Sequence, residues 1–357
     1  MSKIIISKIS FLVLVISFNV FASYETRQAG MSEERLNKIG PSLSKYVTQG
    51  RLPGLITAVA RKGKIVHFET QGFADVENKI PLKEDSLFRI YSMSKPITGV
   101  ALMILIEEGK VRLNDPVSIY IPEFSSTKVM KVNEAGSIST ERLNKPITIR
   151  DLATHTSGIA YSFTANKQLR EIYEENKLTP YFFIDNMNTV SDLDSGSFAT
   201  STKAFPDVCS FSSALASKAP LMHQPGAKYT YSMGMDVLGC VIERASGKTF
   251  DVFLKERIFD PLGMTDTSFE VPKDKAERFT NLYASPMGVR RLSPELSESL
   301  GKQRKLMALI DPMGTSPYLN KATLFDGGSG LVSSTRDYLA FTQMLVNGGV
   351  LGKTRIL

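Results

Sequence analysis

A serine and a lysine three residues apart, Ser92 and Lys95, head the segment Ser92-Met93-Ser94-Lys95-Pro96. On a helix that spacing puts both side chains on one face, one turn apart. If Ser92 opens the helix, the free N–H groups and positive potential of the helix N-terminus fall on it. A lysine so placed can give up its proton to nearby positive charge and desolvation, and act as a base toward the serine hydroxyl. Such nucleophilic catalysis needs no histidine, which suits a chain whose histidines are His67, His155 and His223 alone. The spacing recurs at Ser42–Lys45, Ser125–Lys128 and Ser299–Lys302. Only Ser92 sits at a strand-to-helix junction with an apolar helix behind it.

Other chemistries lack their residues. Gly314-Thr315-Ser316-Pro317-Tyr318 and Gly327-Gly328-Ser329-Gly330-Leu331 both miss the final glycine of the α/β-hydrolase elbow. There is no Walker loop, dinucleotide fingerprint or His-Glu-x-x-His. No Cys/His cluster has zinc spacing, so neither a cofactor nor a metal is expected.

The elements that must position Ser92 are legible in part. Ser32–Gln49 reads as an amphipathic helix with Ser32 as cap and Leu36, Ile39, Leu43 and Val47 on one stripe. Leu55–Phe73 reads as a hairpin turning at Arg61-Lys62-Gly63. Ser86–Tyr91 leads into the nucleophile helix, where Pro96 fits the first turn and Gly109 ends the run. Thr148–Leu152 reads as a capped helix, Tyr231–Ala245 as a helix stopped by Ser246-Gly247, and Thr335–Val346 as a last helix capped by Ser334. Asp192–Thr202 is Ser/Thr/Gly/Asp-rich and reads as an exposed loop. A hairpin followed by a largely helical middle suggests an α+β fold with a helical lobe beside an antiparallel sheet.

The segment Leu87–Thr98 resembles the active-site segment of the serine β-lactamase and penicillin-binding-protein superfamily. It looks most like the branch of class C β-lactamases, D-stereospecific peptidases and family VIII carboxylesterases. Further segments agree in order: Leu113-Asn114-Asp115-Pro116-Val117, Ile147–Gly158, Pro225-Gly226 with Tyr229–Gly234, and Gly328–Ser333. The resemblance covers roughly residues 33–350. It implies an antiparallel sheet flanked by helices and a second, helical lobe. It also implies that Ser92 is the acylated nucleophile, that its N–H is half of the oxyanion hole, and that Lys95 holds the proton network. Tyr231 would be the general base, assisted by lysine charge, and would later activate the deacylating water. Unaided by the resemblance, Tyr231 reads as an aromatic packed at a helix start. His155 is taken as scaffold.

Two departures from the family pattern stand out. Class C β-lactamases have asparagine at the third position of the tyrosine motif, where this chain has Met233, which lacks an amide to offer a substrate. The third motif, lysine-threonine-glycine or a His/Trp-x-Gly variant, is absent after the tyrosine motif. The expectation is a chain truncated at its C-terminus, with the last sheet strands missing, the hairpin edge exposed and the oxyanion hole short of its second donor. The expected layout is a signal peptide over 1–22, part of the α/β lobe over 23–115, a mostly helical lobe over 116–324, and a return to the α/β lobe over 325–357.

Composition bounds the rest. The 357 residues are 42% hydrophobic and 22% charged, a globular balance too long for one core. The net charge of +7 is spread among acidic residues, so no nucleic-acid partner is expected. Met1–Lys8 is short and basic, Ile9–Phe21 is apolar, and Val20-Phe21-Ala22 precedes Ser23, the three-part pattern of a cleaved secretory signal. The run is shorter than the about 20 apolar residues of a membrane span. An exported protein could pair Cys209 with Cys240, but Cys240 lies in an apolar helical stretch, and a buried free thiol is the expectation there. The reading is thus an exported serine hydrolase acting on a small ester or amide, cell-wall material included. The alternatives are a β-lactamase or D-amino-acid peptidase, and, in another class, a non-catalytic binder of peptidoglycan-like ligands.

Overall fold

The computed structural model describes residues 26–178, 205–285, 298 and 306–357. The predicted signal peptide and the Asp192–Thr202 loop lie outside these. In chain order come α1 (Glu33–Leu36), α2 (Ile39–Thr48), β1 (Gly54–Arg61), β2 (Lys64–Asp75), β3 (Ile80–Pro81) and β4 (Leu87–Arg89). Then follow α3 (Ser94–Glu107), β5 (Lys128–Val132), β6 (Ile138–Arg142), α4 (Ile149–Ala153), α5 (Lys167–Glu175), α6 (Val208–Lys218) and α7 (Gly234–Ser246). The remainder is α8 (Phe250–Leu254), α9 (Asp260–Leu262), β7 (Leu282–Ala284), β8 (Ala308–Asp311), β9 (Val332–Ser334), α10 (Thr335–Val346), β10 (Val350–Leu351) and β11 (Thr354–Arg355).

The α+β expectation holds, with adjustments that have physical causes. The single helix expected over Ser32–Gln49 is two. Ser32 caps α1 by accepting from the Arg35 N–H, but Pro41 has no N–H and its ring would strike the carbonyl of Asn37, so the chain restarts at Ile39. The hairpin turns on Lys62 and Gly63, both at positive φ (51° and 73°), between the paired residues Arg61 and Lys64. Strands also occur within 116–324, the stretch read as mostly helical: β5 pairs with β6, and β7 with β8, both antiparallel.

The sheet that carries the hairpin has the order β1-β2-β3, and among the described residues no strand joins the outer edge of β1. Gly54–Ala60 are all half-exposed. The core lies elsewhere. Nine of the fourteen residues of α3 are buried, so this helix is enclosed nearly all round, as a central helix must be. Ile97, Leu102 and Leu105 of α3 share a core with Val237, Leu238 and Val241 of α7 and Phe211 of α6.

A smaller cluster of Leu87, Val271, Phe279, Tyr318 and Val332 surrounds β4 and β9. Arg89 threads through it. Its Nε donates to Asp311 Oδ2 at 2.6 Å, one amino group donates to the Thr280 carbonyl at 2.6 Å, and its guanidinium lies 4.0 Å over the Phe279 ring. The Arg89 side chain is only 1% exposed, so loss of either partner would strand a buried charge.

The two cysteines form a disulfide, Cys209 of α6 to Cys240 of α7, contrary to the free thiol expected from the apolar helix alone. What the one-dimensional pattern hides is that α6 packs on α7 with these Cα atoms 4.8 Å apart. Closing a loop with a sequence separation of 31 removes chain entropy from the unfolded state, worth about 3–4 kcal/mol. Cys209→Ser with Cys240→Ser should lower the unfolding free energy by about that amount, read from denaturant midpoints at matched slope.

Candidate active site

The strand β4 delivers the chain to the site. The Ile90 N–H donates to the Leu331 carbonyl at 3.0 Å, extending the antiparallel register of β4 with β9. Tyr91 then takes a left-handed φ of 42°, unusual for a side chain of this size. A 3-10 turn over Tyr91–Met93 runs into α3, leaving Ser92 exposed and placing Lys95 in the first helical turn. The sequence expectation that both share a face is met: Lys95 Nζ donates to Ser92 Oγ at 3.1 Å. Of the competing Ser-x-x-Lys pairs, Ser42 and Ser125 are exposed on other elements, and Ser299 is outside the described residues.

Tyr231 reaches the same atom from the other lobe. Its hydroxyl lies 2.7 Å from Ser92 Oγ. It does not start a helix, as the sequence pattern suggested; α7 begins three residues later, at Gly234. Local bonds hold this approach segment off the helix. The Thr230 N–H donates to the His155 carbonyl at 2.8 Å, Thr164 Oγ1 donates to the Tyr231 carbonyl at 2.8 Å, and the Ser232 N–H donates to His155 Nδ1 at 3.2 Å. Tertiary partners thus outweigh the helical periodicity of the sequence.

Lys95 is 8% exposed. Besides Ser92 it donates to the Gly328 carbonyl at 2.7 Å, and it lies 4.8 Å from the Tyr231 ring centre and 5.2 Å from that of Tyr161. Two aromatic faces and a carbonyl hold the Lys95 amine, and among the described residues no carboxylate forms an ion pair with it. The turn 327–330 is pinned to α3: Thr98 Oγ1 donates to the Gly327 carbonyl at 2.6 Å, and the Leu331 N–H donates to Ser94 Oγ at 3.2 Å.

His155 is the scaffold residue the sequence suggested. Because Nδ1 accepts the Ser232 N–H, it is the bare nitrogen, and the ring lies 4.8 Å from that of Tyr231. Burial, aided by the Lys95 charge, lowers its pKa to about 4, so the ring stays neutral beside the lysine. Sequence reasoning gave Tyr161 and the Gly328 carbonyl no part in holding Lys95. No spacing rule links Lys95 to residues 66 and 233 positions further on, and only the glycine-rich run 327–330 carried a signal.

Among the described residues no group of His, Cys, Asp or Glu is placed to hold a metal ion. A serine hydroxyl at the head of a helix, in contact with both a phenol and an amine, is an arrangement that suits a serine hydrolase of the β-lactamase type. The chain belongs to the Beta-lactamase family, whose model matches residues 42–356. It is 32% identical over 317 residues to Protein Rv1367c of Mycobacterium tuberculosis, covering 88% of this chain and 68% of that protein. It is 31% identical over 311 residues to Esterase EstB of Burkholderia gladioli, covering 85% of this chain and 68% of the esterase. Among solved structures, EstCE1, described as a hydrolase with promiscuous acyltransferase activity, superposes with a TM-score of 0.65 at 24% identity. That match covers 90% of this chain and 75% of EstCE1.

The low pKa of His155 ties stability to pH. The unfolded chain binds a proton there below about pH 6.5 and the folded chain only below about 4. The contribution is therefore whole above 6.5 and drains away as pH falls toward 4, by about 3 kcal/mol. His155→Asn keeps a residue that tolerates the observed φ of 57°. Denaturant midpoints at pH 7 and pH 4.5 should fall further apart in the wild type than in the variant.

Proposed function

We propose that this serine hydrolase acts through an acyl-enzyme on a carboxylic ester or amide, with Ser92, Lys95 and Tyr231 as its reacting groups. The observation that carries this reading is Ser92 Oγ itself, 2.7 Å from the Tyr231 hydroxyl and 3.1 Å from Lys95 Nζ. With the phenol proton passed to the Lys95 amine, the Tyr231 phenolate takes the serine proton as Oγ bonds to the substrate carbonyl carbon. The Ser92 N–H donates to the oxyanion. The carbonyl then re-forms, the bond to the leaving oxygen or nitrogen breaks, and Tyr231 returns the proton to that atom. Water, deprotonated by the Tyr231 phenolate, attacks the acyl carbon; the bond to Ser92 Oγ then breaks and Tyr231 returns the proton to Oγ, freeing the acid and the Ser92 hydroxyl.

An ester is favoured over a β-lactam. Met233, where class C β-lactamases carry asparagine, is 1% exposed and packs into the core as α7 begins, so it offers a substrate nothing polar. Phe163, 53% exposed, stacks on Tyr161 and lies 6.3 Å from the Tyr231 ring, giving the nucleophile an apolar flank. The named activity of Esterase EstB agrees with this. Export is proposed with it, supported by the signal-like residues 1–22 and by a disulfide of the kind oxidising compartments favour. Among the described residues no helix is long and apolar enough to cross a membrane.

Hydrolysis of a short-chain nitrophenyl ester should exceed that of a chromogenic cephalosporin and of a D-Ala-D-Ala peptide. Ser92→Ala should abolish it, and Tyr231→Phe should lower kcat by about 100- to 10,000-fold. Ester hydrolysis unchanged in Ser92→Ala would sink the assignment. Retention on cell-wall material with no acylation of Ser92 would favour a binder. N-terminal sequencing of the protein from its source should begin at Ser23; a start at Met1 would end the export reading.

A further inference from the structure

Behind the nucleophile lie two carboxyl groups that no step above uses. Asp236, in the first turn of α7, and Asp326, at the head of the glycine-rich turn, are each 0% exposed and converge on one donor, the Gly328 N–H, at 3.0 and 2.7 Å. Two buried carboxyls that share one donor repel each other when both are ionised, which favours a proton on one of them. Their other partners say where. Asp326 Oδ1 accepts the Gly328 N–H at 2.7 Å and the Ser329 N–H at 3.0 Å, and its Oδ2 accepts the Ser329 hydroxyl at 2.9 Å. Three donors converging on one carboxyl is the environment of a carboxylate. Among the described residues Asp236 accepts from two donors, the Gly328 N–H at 3.0 Å and the Tyr161 hydroxyl at 3.2 Å. Burial, then the neighbouring Asp326, push Asp236 well above the usual carboxylate range, which puts the proton on Asp236.

The Gly328 peptide to Ser329 is therefore gripped at both ends, its carbonyl by Lys95 Nζ and its N–H, that of Ser329, by Asp326, while the carboxyl pair also holds the Gly328 N–H. It has no room to shift. A Cβ at Gly328 would come within 2.6 Å of the Tyr161 hydroxyl, and one at Gly327 within 2.5 Å of the Met235 carbonyl. We infer that Asp236 and Asp326 form a one-proton clamp that fixes the Gly328 peptide and, through it, holds Lys95 Nζ against Ser92. Asp326 is the charged positioning residue and Asp236 its neutral partner. The inference rests on the reading of Ser92, Lys95 and Tyr231 as the reacting groups. The titratable groups facing Asp236 are Asp326, Tyr161 and Lys95, and Asp326 also faces Tyr318. Lys95 in turn faces Tyr231 and His155.

The test is the pH profile of covalent capture of Ser92 by a fluorophosphonate, followed by intact mass, with melting temperature as the control for folding. Asp236→Asn keeps a neutral group that can donate to Asp326 and accept from Gly328. Its capture rate should stay within about threefold of wild type, with the profile unmoved. Asp326→Asn removes the charge from the clamp. It should slow capture at least about tenfold at pH 7 and displace the profile by more than about half a pH unit. If Asp326→Asn does not fold, Ser329→Ala, which removes one donor to Asp326, should displace the profile in the same direction by less. Equal slowing in both aspartate variants with an unmoved profile would make the pair merely structural and overturn the clamp. Wild-type rates and profiles in both would overturn it as well. No capture in the wild type would overturn the nucleophile assignment, and the clamp with it.

Discussion

An amine with almost no access to water is the constraint around which this molecule is arranged. Removing Lys95 from solvent is unfavourable unless every hydrogen it carries and the charge itself find partners. The chain meets that demand from three remote stretches. The 3-10 turn before α3 supplies Ser92, the lobe between α4 and α7 supplies the faces of Tyr161 and Tyr231, and the glycine-rich turn supplies the Gly328 carbonyl. None of these contacts is local in sequence beyond Ser92. Seating the lysine therefore brings the two lobes together at the place where substrate must bind.

The surroundings fix those partners by different means. Arg89 locks β4 to the segments around Thr280 and Asp311, which settles where the chain enters the site. His155 and Thr164 settle the backbone that carries Tyr231. The disulfide ties α6 to α7, the helix that follows Tyr231, so a covalent bond backs the wall behind the phenol. Rigid support of this kind is what the proposed proton transfer between Ser92 and Tyr231 requires, because it depends on keeping their separation of 2.7 Å.

What could be read from the sequence follows from how local each signal is. Ser92 and Lys95 were legible because three residues of spacing and an apolar helix behind them are short-range facts. Tyr231 was legible only through family resemblance; its own neighbourhood pointed to a helix start, and His155, more than seventy residues earlier, is what prevents it. The break at Pro41 was written in the sequence and was masked by the amphipathic stripe around it. The strand pairs β5–β6 and β7–β8 were missed because strands of 3 to 5 residues are too short to show an alternating pattern and their partners lie across loops. The carboxyl pair was invisible: Asp236 and Asp326 read as ordinary acidic residues until α7 and the glycine-rich turn meet.

Tyr91 leads to a last point. A tyrosine at a φ of 42° is held against its own preference, at a cost of about 1–2 kcal/mol met during folding rather than during reaction. The chain is tied down on both sides of it, through Arg89 in its buried ion pair and Ser94 bonded to Leu331. The shape presented by Ser92 is thus set by the fold around it. For anyone fitting inhibitors to this candidate site, rigid-body placement is a sound starting approximation around Ser92.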